Sequence, residues 1–206
     1  VNSATDTGDA APSLRERRRA QTREDLVAGV LAVIDAQGFD RLTIERIATA
    51  AGVSRGTVYA HFPGGLTELV SAAYAEIGRT IVARTTAEIA AVSVWTEELT
   101  AHARAMFDFA ASSGCGHFYN VSGPAFISAG ESRGIGSGAS RAMIADTLAQ
   151  AQAAGRLREA IVPEAVATLL VGAIREAAIA IATGEADPAE ELAAFSTLVA
   201  GLAAPH

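Results

Sequence analysis

Between Leu42 and Phe62 the chain reads LTIERIATAAGVSRGTVYAHF. Thr43 is a good N-cap for a helix that presents Ile44, Ile47 and Ala48 on one side. Ala51-Gly52 makes a tight turn, and Ser54 caps a second short helix anchored by Val58 and Phe62. Two short helices joined by a glycine turn form a helix-turn-helix, a motif that places its second helix in the DNA major groove. The outer face of that second helix suits the task. Gly56, Thr57 and Ala60 are small enough to let the backbone approach base edges. Arg55 can fork onto guanine, and the Thr57 methyl can touch thymine. Tyr59 and His61 have polar tips at a reach suited to phosphates, and Thr43 combines a hydroxyl with the free amides of a helix N-terminus.

The overall charge looks wrong for a DNA binder until it is mapped. The 206 residues carry a net −7. Residues 13–60 hold eight Arg against six acids, whereas 61–206 hold eight Arg against 15. A DNA-binding protein needs a basic face, not a basic chain. That face is densest at Arg15, Arg17, Arg18, Arg19 and Arg23. The chain has no lysine, and its single cysteine, Cys115, excludes an internal disulfide and fits a reducing cytoplasm.

The rest of the chain reads as helix. Half of it is hydrophobic and only 5% aromatic, with no convincing strand alternation. Residues 1–12 read as a disordered arm. A long helix is expected over about 13–37, stopped by Gly38, and another over about 67–90 after Pro63-Gly64-Gly65. Further helices are expected over about 93–112 and 140–154. Pro163 and Asp187-Pro188 open two more. Their seams are Val166, Leu170, Ile174 and Ile181, and Leu192, Phe195 and Val199. The most apolar stretch, 165–183, is interrupted by Arg175 and Glu176, so no uninterrupted apolar run spans a membrane. If buried, those two charges need partners: across a dimer, within the chain, or on a ligand. Seven of the 19 glycines lie between 113 and 140, which reads as loop with one or two short helical turns, either a lid or a disordered segment.

Residues 14–76 resemble the N-terminal domain of the TetR family of bacterial transcriptional regulators. The resemblance is carried by Gly38-Phe39, Leu42-Thr43, Ile47-Ala48, Ala51-Gly52-Val53-Ser54, Gly56-Thr57-Val58-Tyr59 and His61-Phe62. It implies an all-α chain, with a helix-turn-helix DNA-binding domain over 13–66 and a larger helical ligand-binding and dimerisation domain over 67–206. It also implies a homodimer on a palindromic operator in double-stranded DNA, usually a repressor released by a small-molecule effector. No cofactor and no metal are expected. The DNA-facing set is then Arg17, Arg18, Thr43, Ser54, Arg55, Gly56, Thr57, Tyr59 and His61. The last two helices, through Val166, Leu170, Ile174, Arg175, Ile181, Leu192, Phe195 and Val199, would pair with their mates in the dimer; the alternative is that their seams pack only within the chain. The chain departs from the family in one place. Where the family usually has a Lys just after the Phe-Pro pair, this chain has Gly64-Gly65-Leu66, which shifts the expected phosphate anchoring to the N-terminal arginines.

Candidates for an effector pocket are the aromatic and soft side chains of the second domain: Trp95, His102, Met106, Phe109, Phe118, Tyr119, Phe126 and Met143. Two other functions compete with the repressor. One is a constitutive DNA-binding dimer with a solid core. The other is an enzyme using His102, Cys115, His117 and Tyr119, but the sequence has no paired acid–base set for it. Cys115-Gly-His117 without a second ligand pair is a weak metal signal.

Overall fold

The computed structural model describes residues 13–112, 114–127 and 131–205, with 131–135 as backbone only. The expected arm at 1–12 lies outside the described residues. The described residues are helical and contain no strand, only one isolated bridge between Leu157 and Ala203. In order the helices are α1 (Leu14–Gln37), α2 (Ile44–Ala50), α3 (Arg55–His61), α4 (Gly65–Ile89), α5 (Trp95–Ala110), α6 (Gly114–His117), α7 (Gly123–Phe126), α8 (Glu131–Ala153), α9 (Pro163–Thr183) and α10 (Pro188–Ala200). A wide π-type turn, Phe118–Ser122, joins α6 to α7.

Local chemistry explains the ends. Ser13 and Glu16 form a reciprocal capping box at the start of α1, with the Glu16 amide donating to Ser13 Oγ at 3.3 Å and the Ser13 amide to Glu16 Oε2 at 2.8 Å. Thr43, Ser54 and Asp187 cap α2, α3 and α10 through their side chains. Gly52 has φ +66°, so the α2–α3 turn uses the left-handed region that favours glycine.

Two cores form. The first gathers Leu26, Val30, Ile34, Ile47, Val58 and Phe62, then Leu69, Val70 and Ile77 of α4, and continues into Phe118, Tyr119 and Ile127. The helix-turn-helix and the segment after α5 therefore share one apolar cluster. The second core lies among α5, α8, α9 and α10, around Leu99, Phe107, Ile144, Leu148, Leu170, Ile174, Phe195 and Val199.

Three expectations are corrected. The glycine-rich stretch 113–140 is not a loop where it is described, and α8 begins at Glu131 instead of near 140. Glycine serves close packing there: a Cβ added at Gly114 would overlap the Ile34 carbonyl of α1. Arg175 and Glu176 are exposed, not buried. The third correction concerns the seams expected to meet a partner. Leu170, Ile174, Ile181, Phe195 and Val199 are buried within one chain, and Val166 and Leu192 pack against the same core. What α9 and α10 turn outward is a different set, including Leu169 at 71% exposure and Leu198 at 53%. By length and composition α9 could cross a membrane, yet its inner face is committed to this core.

Candidate nucleic-acid interface and ligand cavity

Most of the residues expected to face DNA are exposed, those of α3 along one side of the helix. On α3, Arg55, Gly56, Tyr59 and Ala60 are exposed and Thr57 half-exposed, while Val58 is buried beneath them. Ser54 Oγ accepts from the Thr57 amide at 3.1 Å and lies 2.9 Å from Thr57 Oγ1, which fixes the N-terminal turn of this helix. Arg55 pairs with Glu45 of α2 at 3.0 Å, and both side chains are more than half exposed. Such a pair contributes roughly 0–1 kcal/mol, so the guanidinium can exchange it for a base edge at little loss. Thr43 Oγ1 accepts from the Arg46 amide, leaving its other lone pair for solvent or phosphate. Arg46 donates to the Arg41 carbonyl at 2.7 Å.

The arginines of α1 divide into two groups. Arg15, Arg17, Arg18 and Arg19 stand exposed along its first turns. Arg23 is structural. It donates to the His61 carbonyl, lies 3.9 Å over the Phe62 ring and sits 3.7 Å from Glu68. It thereby ties the end of α3 and the start of α4 to α1. His61 is correspondingly half-buried, with Nδ1 enclosed and unpartnered. At the start of α4, Glu68 Oε2 accepts from the Gly64 amide at 3.0 Å.

In the second half, a cavity of about 550 Å³ opens among α4, α5, α8, α9 and the π-type turn. Of the eight expected pocket residues it is lined by three: His102, Met106 and Tyr119. The others lie elsewhere. Trp95 and Phe118 are core, Phe109 packs edge-on against Tyr119, Phe126 packs edge-on against Phe39, and Met143 is half-buried off the lining. The lining that sequence reasoning missed comes from other helices: Tyr74 and Ile81 of α4, Arg141 of α8, and Thr168, Val171 and Arg175 of α9. Tyr74 stacks on Tyr119 at 4.5 Å to make one wall. α9 presents Thr168, Val171, Gly172 and Arg175 to the cavity at helical spacings of three and four, but none of them is one of the aromatic or soft side chains that a pocket search in the sequence looks for.

Two features of the cavity are chemically pointed. His102 is 3% exposed, and neither ring nitrogen has a partner among the described residues. Burial pushes its pKa down to about 4, so the ring is neutral at pH 7, with one donor and one acceptor to offer. Arg141 and Arg175 are exposed, and neither forms an ion pair among the described residues. Among the described residues the cavity lining contains no acid.

The Cys115 thiol, half-buried near the Leu31 carbonyl, is pushed up to about 11 by burial and by Asp35. Burial also raises the Tyr119 phenol. His117 is exposed, and no metal-holding cluster occurs among the described residues.

Comparison with known proteins agrees with both halves. The sequence profile of bacterial regulatory proteins of the tetR family matches residues 26–73, and that of the tetracyclin repressor-like C-terminal domain matches 96–204. The HTH-type transcriptional regulator SrpR of Pseudomonas putida is 46% identical over 46 residues, a match spanning 22% of this chain and 22% of that protein. A TetR-family regulator from Pectobacterium atrosepticum shares the fold at TM-score 0.75 and 22% identity, covering 92% of this chain and 97% of that one. The regulator FadR from Bacillus subtilis, solved with stearoyl-CoA, does so at TM-score 0.70 and 16% identity, covering 85% and 96%. An exposed reading helix, an all-helical second half around a cavity, and two profiles that between them match most of the described chain lead to one assignment: the chain belongs to the TetR family of DNA-binding bacterial transcriptional regulators, not to a family of enzymes.

Proposed function

We propose that this chain is a repressor that binds a palindromic operator as a homodimer and is released when a small molecule enters the cavity. The observation that carries the reading is the shared core. Tyr119 lines the cavity, and the adjacent Phe118 stacks at 5.2 Å on Phe39, which lies in the short turn between α1 and α2. A ligand that moves the Tyr74–Tyr119 wall therefore pushes on the packing that orients α3. A ligand shifts an equilibrium only by its differential affinity for the two arrangements. The cavity lies where that difference can arise, between α4 and the α8–α9 pair. A solidly packed second half would have favoured the constitutive dimer instead. The Bacillus subtilis regulator FadR, which shares this fold, is in complex with stearoyl-CoA, and that supports a small-molecule effector here.

Dimerisation rests on the outward face of α9 and α10. Leu169 and Leu198 are large apolar side chains left in solvent on two helices whose inner faces are already committed. A two-fold interface there would set two copies of α3 on half-sites about one DNA turn apart.

Two measurements on DNA test the interface. Arg55→Ala should relax preference at one base of each half-site, by about 1–3 kcal/mol if the contact is bidentate. Operator libraries read by fluorescence anisotropy would show this, and a uniform loss across all sequences would make Arg55 a phosphate contact instead. Replacing Arg17, Arg18 and Arg19 together with Ala should weaken binding to every sequence and flatten the slope of log K against log salt, by about one unit for each phosphate no longer neutralised. An unchanged slope would place the phosphate anchor elsewhere. These arginines are exposed at the start of α1, so the fold should tolerate the change.

A further inference from the structure

We infer that the effector of the cavity is an amphipathic oxyanion: an apolar body with an anionic head at the mouth, held by Arg141 and Arg175, and a neutral hydroxyl or carbonyl at its inner end, hydrogen-bonded to His102. The inference rests on the effector reading above and adds the chemical class of the ligand.

Three observations carry it. The first is His102. Both nitrogens of a ring buried to this degree lack partners among the described residues, and a buried polar group left unpaired is destabilising. A neutral imidazole at the inner wall asks for a neutral hydrogen-bonding group. The second is the mouth. Arg141 and Arg175 come from different helices, line the same cavity, and have no carboxylate partner among the described residues. In a chain of net charge −7, two such guanidiniums at one opening make a local anion site. Their fork geometry suits carboxylate and phosphate alike. The third is the space between. Ile81, Met106, Val171 and Ile174 line it, and the volume of about 550 Å³ suits a small-molecule body. Gly138 and Gly172 help keep it open, since a Cβ at either would meet no heavy atom within 4 Å.

The test uses the full chain and matched probes on two skeletons: 10-hydroxydecanoic acid and 6-hydroxy-2-naphthoic acid, each against its methyl ester, with binding read by calorimetry. On at least one skeleton the acid should bind about tenfold or more tighter than its ester, as expected for charge-assisted hydrogen bonds. Arg141→Gln with Arg175→Gln should bring the two within about threefold at unchanged melting temperature, because both side chains are exposed. His102→Leu should remove the advantage of 10-hydroxydecanoate over decanoate while keeping the preference for acid over ester. Decyl phosphate against decanoate then tells a phosphate head from a carboxylate one. Esters that match the acids on both skeletons, an acid preference that survives the double arginine variant, or no binding by any acid would each overturn the assignment. Operator release is read separately by anisotropy. Acids that bind without releasing DNA would sink the repressor switch and leave the ligand class standing. Release by the esters alone would do the reverse.

Discussion

Phe118→Ala should destabilise the protein by about 3–5 kcal/mol, the range for truncating a fully buried phenylalanine. Phe118 is 0% exposed, stacks on Phe39 at 5.2 Å and meets the edge of Tyr74 at 6.1 Å. The cavity left behind would sit between rings that belong to different parts of the chain, and neither part can collapse into it without moving the other. For a chain of this length, each kcal/mol lowers the melting temperature by roughly 2–4 °C, so a fall of about 10 °C is expected in thermal denaturation. A cycle with Phe39→Ala gives the sharper reading. If the helix-turn-helix and the cavity-bearing half share one core, the two truncations should couple by about 0.5–1.5 kcal/mol. Strict additivity, with a Phe118→Ala loss below about 1 kcal/mol, would mean that the two halves are packed independently and that no push from the cavity reaches α3.

The second large effect is on assembly. Leu169→Arg should convert the proposed dimer to monomer and lower operator affinity by about a hundredfold or more, the scale on which linking two binding units raises avidity. It should do so without unfolding the chain, because Leu169 stands 71% exposed on α9. The neighbouring residue provides the contrast: Leu170 is 2% exposed within the second core, and Leu170→Arg should abolish folding by burying an unpaired charge. Sedimentation velocity and operator titration would report the two outcomes together. A Leu169→Arg variant that sediments as a dimer and binds the operator at full strength would remove α9 from the interface.

Much of this fold was legible residue by residue. The caps Thr43, Ser54 and Asp187, and the stop at Gly38, act locally, so their chemistry announces helix ends without any tertiary context. The helix-turn-helix was legible for the same reason: its core contacts lie close in sequence, and its outer face is defined by what the inner face leaves over. The stretch 113–140 was misread because glycine normally signals a turn. Here Gly114 answers to the backbone of α1, some 80 positions earlier, and only close helix packing makes its missing side chain useful. Arg23 likewise looked like part of a basic DNA face, and its role emerges only when His61, Phe62 and Glu68 are brought beneath it.

The sequence by itself determined that this chain is helical and holds a helix-turn-helix, and its motif residues carried the resemblance to the TetR regulators, because each of these rests on residues close together in the chain. Tertiary structure alone decided which face of each C-terminal helix is inside. Periodicity placed Leu170 on the apolar seam of α9 with Val166, Ile174 and Ile181, but it could not say whether that seam meets this chain's own core or a partner, and packing against α5 and α8 turned it inward and left Leu169 in solvent. The same packing brought His102, Arg141 and Arg175 from three helices to one cavity. A site assembled across helices leaves only part of its pattern along any one of them, since which helix faces share it is set by crossing geometry and not by their order in the chain.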